Sequence, residues 1–328
     1  MRNTPIIILT IFLLTTSIVG QTTVSHDVPL FPYKHQGKFG YIDAKGKLRI
    51  PLKFDYAGKY SEGLAVAKLS GRMGYIDVAG NFVIAPQFDL ADDFHEGLGA
   101  VMMYGKGFGF VDRSGQVVIK PQFAQATGFS EGLAHVRKGE KWFYVDQTGK
   151  VAIDLDCYQA QQFSEGLAGH NCGTPGFINK LGVTVFGSSD FLDVGPFSEG
   201  LAAVLTESAL LEGYVDKTGH FVIPPKFEEA ERFREGLAAV KVEGKYGFID
   251  KSGKIVIPPQ FDLAYGFSEG LASVTIGKKQ GFIDRTGRMV IKPRFDVAFE
   301  FSHGVAIVLF GRREWYVDRT GKIIAAAP

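Results

Sequence analysis

Apolar and polar positions alternate in short bursts along this chain, and the bursts recur. After Leu237 the side chains of Ala238, Val240 and Val242 fall on one face and those of Ala239 and Lys241 on the other. Strict alternation of this kind predicts a half-buried strand. A turn at Glu243-Gly244-Lys245 leads into a second strand, Tyr246 to Asp250, and a turn at Lys251-Ser252-Gly253-Lys254 into a third, Ile255 to Ile257. Proline cannot donate to a ladder, so the Pro-x-Phe that follows ends the third strand. It recurs as Pro86/Phe88, Pro121/Phe123, Pro225/Phe227, Pro259/Phe261 and Pro293/Phe295. The next apolar anchors, Phe261, Ala264 and Phe267, stand three apart, which is neither alternation nor a full helix. They predict a packed loop or one helical turn before Ser-Glu-Gly-Leu-Ala restarts the cycle.

The second strand ends in an acid or its amide nine times, at Asp43, Asp77, Asp112, Asp146, Asn179, Asp216, Asp250, Asp284 and Asp318, with gaps of 33 to 37 residues. A fixed period of this size marks a repeat architecture. One three-stranded meander cannot cover both its faces, and stacking copies does so. The chain is therefore expected to be all-β, a tandem array of about nine three-stranded units of about 34 residues. An open, superhelical, solenoid-like arrangement is expected, with a closed β-propeller-like ring as the alternative. A propeller blade normally uses four strands and about 40 residues, and nine whole units leave no split blade to lock a ring.

The repeated polar positions read as structural. Asp43, Asp77, Asp112, Asp146, Asp216, Asp250, Asp284 and Asp318 each precede a glycine by three, the arrangement of an Asx-turn closing a short hairpin. A calcium site needs several oxygens converging on one point, and each turn supplies one carboxylate. The Glu-Gly pairs place glycines at 63, 97, 132, 166, 200, 236, 270 and, after His303, 304. That is, Gly63, Gly97, Gly132, Gly166, Gly200, Gly236, Gly270 and Gly304 open the first strand of each unit. Their glutamates resemble a catalytic series, but catalysis gathers unlike groups at one point and a repeat spreads like groups along an axis. They are expected to accept backbone donors of their own or the next unit. The aromatic before each, from Tyr60 and Phe94 to Phe267 and Phe301, is expected to form a stacked core column.

This pattern, Gly-Tyr/Phe-Ile-Asp, a Gly-Lys turn, Ile-Pro-Pro-x-Phe and Phe-Ser-Glu-Gly-Leu-Ala, resembles the bacterial WG-containing (KWG) repeat family over roughly residues 28–328. The Trp-Gly of the family name is replaced by Phe39-Gly40, Met73-Gly74, Phe108-Gly109, Tyr246-Gly247 and Gln280-Gly281, and Trp142-Phe143 and Glu314-Trp315 lose the glycine. The resemblance implies a β-rich repeat, often in exported or multidomain bacterial proteins, with no assigned catalytic residues.

Arg2 followed by an apolar stretch from Ile6 predicts a signal peptide over residues 1–20, then a lead-in at 21–27 and the array at 28–328. The chain is expected to be extracytoplasmic, periplasmic or secreted, with no membrane span after cleavage. Lys+Arg number 36 against 35 acids, interspersed, which gives no footprint for nucleic acid. Cys157 and Cys172 are the two cysteines; a disulfide and a pair of buried thiols both fit. They lie in an irregular unit around 154–191, where Asp154-Leu-Asp-Cys157 replaces Pro-x-Phe.

The expected function is that of a non-catalytic exported scaffold binding a protein or glycan, with no catalytic, cofactor or metal residues. The alternatives are a purely structural spacer, and a hydrolase or lyase using His170, Asp154, Asp156 and Cys172 of the irregular unit. No nucleophile elbow, metal-spaced histidine pair or phosphate loop occurs.

Overall fold

A computed structural model describes residues 29–311 and 313–326. The expected signal peptide, lead-in and Val28 lie outside them. The described residues form nine antiparallel sheets, each a meander. Seven have four strands and two have three, and they are numbered as blades in chain order: blade 1 (residues 30–54, three strands), 2 (56–88), 3 (90–123), 4 (125–153), 5 (167–187, three strands), 6 (191–227), 7 (229–261), 8 (263–295) and 9 (297–326).

Here the structure corrects the expected architecture. The sheets stand in a ring as a nine-bladed β-propeller, not in an open superhelix. The segment read as a loop or helical turn is the missing fourth strand. In blade 8 Leu263–Ala264 pairs with Val274 and Thr275, and in blade 2 Tyr56–Ser61 pairs with Leu64–Leu69 through an irregularity between Ala57 and Tyr60. That irregularity spaces the anchors three apart and hides the alternation. The Pro-x-Phe does not end the third strand of the unit either, since the strand runs Ile255–Phe261. It bulges through the prolines, with Phe248 opposite Ile257 and Tyr246 opposite Phe261. As the outermost strand it has one unpaired edge, where a missing N–H costs nothing.

The core lies between blades. One cluster joins Leu237, Phe248 and Ile257 of blade 7 to Ala264, Phe267, Val274 and Ile283 of blade 8. The expected aromatic column is resolved into pairs, an aromatic of the strand that ends in the turn acid against the connector aromatic of the next blade. Tyr41–Tyr60, Tyr75–Phe94, Phe110–Phe129, Tyr144–Phe163, Phe177–Phe197, Tyr214–Phe233, Phe248–Phe267 and Phe282–Phe301 all meet at 4.6–5.2 Å between centroids and 55–64° between planes. Such inclined contacts add to the area buried.

The ninth junction closes the ring. Phe31 and Ile42 of blade 1 share a cluster with Val305 and Tyr316 of blade 9, and the Tyr316 hydroxyl donates to the carbonyl of Pro32. No split blade is needed, because the last sheet packs directly on the first.

Candidate functional site at the axial mouth

In blades 2 to 9 the connector segment is innermost, as a strand in all but blade 5, and its chemistry follows from three constraints. Its alanine packs into the core (Ala57, Ala264 and Ala298 are buried), as does its aromatic, Phe94 to Phe301. Its serine hydroxyl donates to the carbonyl of the next blade's aromatic: Ser61 to Phe94, Ser130 to Phe163, Ser164 to Phe197, Ser198 to Phe233 and Ser268 to Phe301, at 2.6–2.8 Å. The Glu-Gly that follows is a tight turn with both residues left-handed, Glu at φ 51–55° and Gly at 75–88°. Such turns ordinarily take Asn-Gly. Here glutamate holds the place because its carboxylate accepts the turn glycine's N–H of the next blade at 2.8–3.0 Å, from Gly97 on Glu62 to Gly304 on Glu269. The expected donors are thus found on the next unit.

Two residues between the alanine and the aromatic escape these constraints: Gly58-Lys59, Asp92-Asp93, Thr127-Gly128, Gln161-Gln162, Glu231-Arg232, Tyr265-Gly266 and Phe299-Glu300, with Gly195-Pro196 after Val194. No two pairs agree. The serine position varies twice, to His95 and Arg234. Lys59 of blade 2, Arg232 and Arg234 of blade 7, Tyr265 of blade 8 and Phe299 and Glu300 of blade 9 line one cavity of about 340 Å³. Blades so far apart in sequence meet there because their innermost strands face a common axis.

Tyr265 and Phe299 are 47% and 52% exposed, unlike any aromatic of the column. Arg234 reaches past blade 8 to pair with Glu300, which leaves Arg232 and Lys59 as cations beside two open aromatic faces. On blade 3 the carboxyl of Asp93 is pushed up by burial and by Asp92 beside it. Aromatic faces with a guanidinium alongside suit a ring-bearing ligand with a carboxylate. Among the described residues no group of three or more His, Cys, Asp or Glu is arranged to hold a metal. No helix among them is long and apolar enough to cross a membrane.

The other sequence-derived residues are spread around the ring. The turn aspartates accept the N–H groups two and four residues on; Asp250 takes Ser252 at 2.9 Å and Lys254 at 3.2 Å. Asn179 does the same with its amide oxygen, for Leu181 and Val183, which is why the substitution is tolerated there. The hydroxyl of Thr286 holds Asp284 at about 2. Cys157 and Cys172 are joined in a disulfide, Cα atoms 5.7 Å apart. Asp156 accepts the backbone N–H of Trp142 at 3.1 Å, and Asp154 is exposed. The His170 ring is buried, and burial lowers its pKa against the opposing effect of the Cys172 backbone. Among the described residues no hydrogen bond or ion pair joins Asp154, Asp156 and His170. The axial residues were missed in the sequence, although the signal was present: two adjacent positions whose combination differs in every copy, flanked by columns that hardly change.

A family model described as WG containing repeat matches residues 39–72, 73–106, 108–142, 142–169, 213–246, 246–279 and 281–311, more than half of the chain. The unmatched stretch 170–212 takes in most of the irregular unit. Among curated proteins none matches. Among solved structures, BamB from Moraxella catarrhalis is similar at 10% identity and a TM-score of 0.45, over 82% of this chain and 94% of its own. Apo AztD from Citrobacter koseri is similar at 16% identity and a TM-score of 0.42, over 80% of this chain and 94% of its own. The dihydro-heme d1 dehydrogenase NirN is similar at 13% identity and a TM-score of 0.46, over 92% of this chain and 73% of its own. Identities this low say nothing of ligand or activity. With one repeat matched in copies from blade 1 to blade 9, the chain belongs to the WG containing repeat family.

Proposed function

We propose that the protein is a non-catalytic, exported binding protein that holds an acidic glycan at the axial mouth. The observation behind this is the contrast between columns of the repeat. Positions that pack or bond between blades hardly vary, and no two of the eight copies share the same pair at the two positions that face the axis. A mere spacer has no use for two half-exposed aromatics gathered with Lys59 and Arg232 in one cavity. Of the two partner classes, a glycan fits better than a flat protein surface. Open rings of Tyr265 and Phe299 offer stacking faces to sugar rings, and Arg232 offers a two-pronged donor to a carboxylate.

The test is calorimetric titration of the purified chain with uronic-acid and sialic-acid oligosaccharides, next to their neutral counterparts. The acidic sugars are expected to bind and to be recovered unchanged. The triple variant Y265A/R232A/F299A is expected to lose that binding at least tenfold while its melting temperature stays within about 2 °C, since exposed side chains contribute little to folding. Undiminished binding by the triple variant, or no preference for the acidic sugars, refutes the reading.

A further inference from the structure

The serine after the connector aromatic is replaced twice, and each replacement comes with a second change one blade on. In five copies the serine is kept, and the residue before the next blade's aromatic bears a side chain: Asp93 after Ser61, Gln162 after Ser130, Pro196 after Ser164, Arg232 after Ser198 and Glu300 after Ser268. After His95 that residue is Gly128, and after Arg234 it is Gly266. Space explains the pairing. A Cβ on Gly128 would stand 2.6 Å from Cδ2 of His95, and one on Gly266 would stand 2.7 Å from Cδ of Arg234. Each long side chain therefore lies across the neighbouring backbone, in room that a glycine leaves. Among the described residues neither makes the bond that Ser61 and Ser268 make to the next blade's aromatic carbonyl. Departures from a repeat's own rule gather at functional positions.

The two replacements differ in what they reach. His95 does not line the axial cavity, and Gln162, two blades on from it, turns its amide to the Gly128 carbonyl at 2.9 Å. Arg234 lines the cavity, and its guanidinium donates to the Glu300 carboxylate, two blades on. Its stem rests on the glycine that follows Tyr265, and its head meets the acid that follows Phe299. The guanidinium is thus delivered to the residues next to the two half-exposed rings, with a carboxylate already on it. The Glu300 side chain is half exposed, and an ion pair this open to water contributes little to folding. The same cavity wall carries Ser273, which is buried and whose hydroxyl makes no hydrogen bond among the described residues. Blades 2, 3, 6, 7 and 9 place Val66, Ala100, Ala203, Ala239 and Ile307 there, so a polar wall is particular to this cavity.

We propose that Arg234 is the receptor for the acid group of the ligand, and that Glu300 is an internal counter-ion which the ligand displaces. This rests on the axial mouth being the binding site, and names the side chain that selects the charge. The incoming carboxylate accepts from the guanidinium as Glu300 does in the free protein, in a geometry that allows two parallel bonds. Glu300 then turns to water. Arg232 and Lys59 add their charge to the mouth without holding the acid. A neutral sugar has nothing to set against Glu300, so the pair stays closed to it.

The test is calorimetric titration of the full chain with two probes, a uronic-acid disaccharide and benzoate, a minimal ring-bearing carboxylate. R234S restores the repeat's own serine and is expected to melt within about 2 °C of the parent, while both probes bind at least tenfold more weakly. E300Q removes the competitor and is expected to tighten both at least threefold. H95S makes the same restoration at the other replaced position and is expected to bind within twofold of the parent. The deciding variant is R234S/E300Q, in which the gain from E300Q is expected to vanish. A gain that survives there means that Glu300 acts only by repelling the probe, and overturns the proposal. Parental binding by R234S, or no gain in E300Q, overturns it too. The two readings separate: disaccharide binding that ignores R234S keeps the acidic glycan and removes the receptor. Benzoate held through Arg234 with no disaccharide bound keeps the receptor and removes the glycan, and binding of neither probe removes both.

Discussion

The junction between blades 7 and 8 and the junction between blades 9 and 1 join the same kind of sheet and are built differently. At the first, Phe248 meets Phe267 at 4.9 Å, the Gly270 N–H rests on Glu235, and eleven buried residues form one cluster. At the second, four buried residues form the cluster, the aromatic pair is loose, and no Glu-Gly bond spans the gap among the described residues. Among the described residues, the junction with an innermost strand is thus the broader of the two.

Removing blade 9, residues 297–326, tests the ring most severely. It takes away one full junction and the closing one together and bares the apolar faces of blades 8 and 1. The truncated chain is expected to lose its single cooperative melting transition in calorimetry. A modest, graded drop in melting temperature is instead the behaviour of an open stack held by nearest neighbours, and would erase the distinction between the two junctions.

A smaller effect separates the joints directly. F267A opens a cavity in a packed interface and is expected to cost about 3–5 kcal/mol in urea unfolding. Y33A at the closure, where the side chain is half-buried, is expected to cost less than about 2 kcal/mol. Equal losses would mean that the closing joint is as tight as the others.

The smallest effect concerns the joint between blades 6 and 7. Burial pushes the Glu212 carboxyl up to about 7, against the opposing bond from the Ala230 N–H. A folded pKa raised above the unfolded value stabilises fully below about pH 4.5, and that contribution is lost as pH rises through 7. Gln280 holds the same place in blade 8, and its amide oxygen takes the Ala298 N–H at 2.5 Å, so glutamine fits. E212Q is expected to be more stable than the parent at pH 8 by about 1 kcal/mol, after allowing for the partial exposure of the site. The gain should shrink towards pH 5. His135, held at about 4 by burial, titrates in the opposite sense between about 4 and 6.5 in both proteins, so the difference between them isolates Glu212.

What the residues disclosed by themselves followed from local rules. The Asp-to-Gly turns were legible because their bonds close within five residues, and the glutamates because identical groups repeated along a chain cannot converge. The fourth strand was not legible, since its bulge at Gly58-Lys59 breaks the period-two signal. Ring closure was not either. It depends on contacts between the two ends of the array, the Phe31, Ile42, Val305 and Tyr316 cluster and the bond from Tyr316 to Pro32, 284 residues apart. One coupling was open to reading and passed over. A Cβ on Gly247 would lie 2.5 Å from the Ile257 carbonyl oxygen and 2.7 Å from the Pro259 nitrogen. The glycine and the bulged prolines therefore need each other. Where Phe143 replaces the glycine, Asp154-Leu-Asp replaces the prolines and the strand stops at Ile153.

The Glu-to-Gly contacts all run in one sense, each blade handing its carboxylate forward to the next. Nothing in that chain of handshakes consults the pair of letters pointing into the hole. Apart from the amides of Gln161 and Gln162, which donate to the carbonyls of Val194 and Gly128 in the adjoining blades, the lining of the bore can therefore change without disturbing the wheel that carries it.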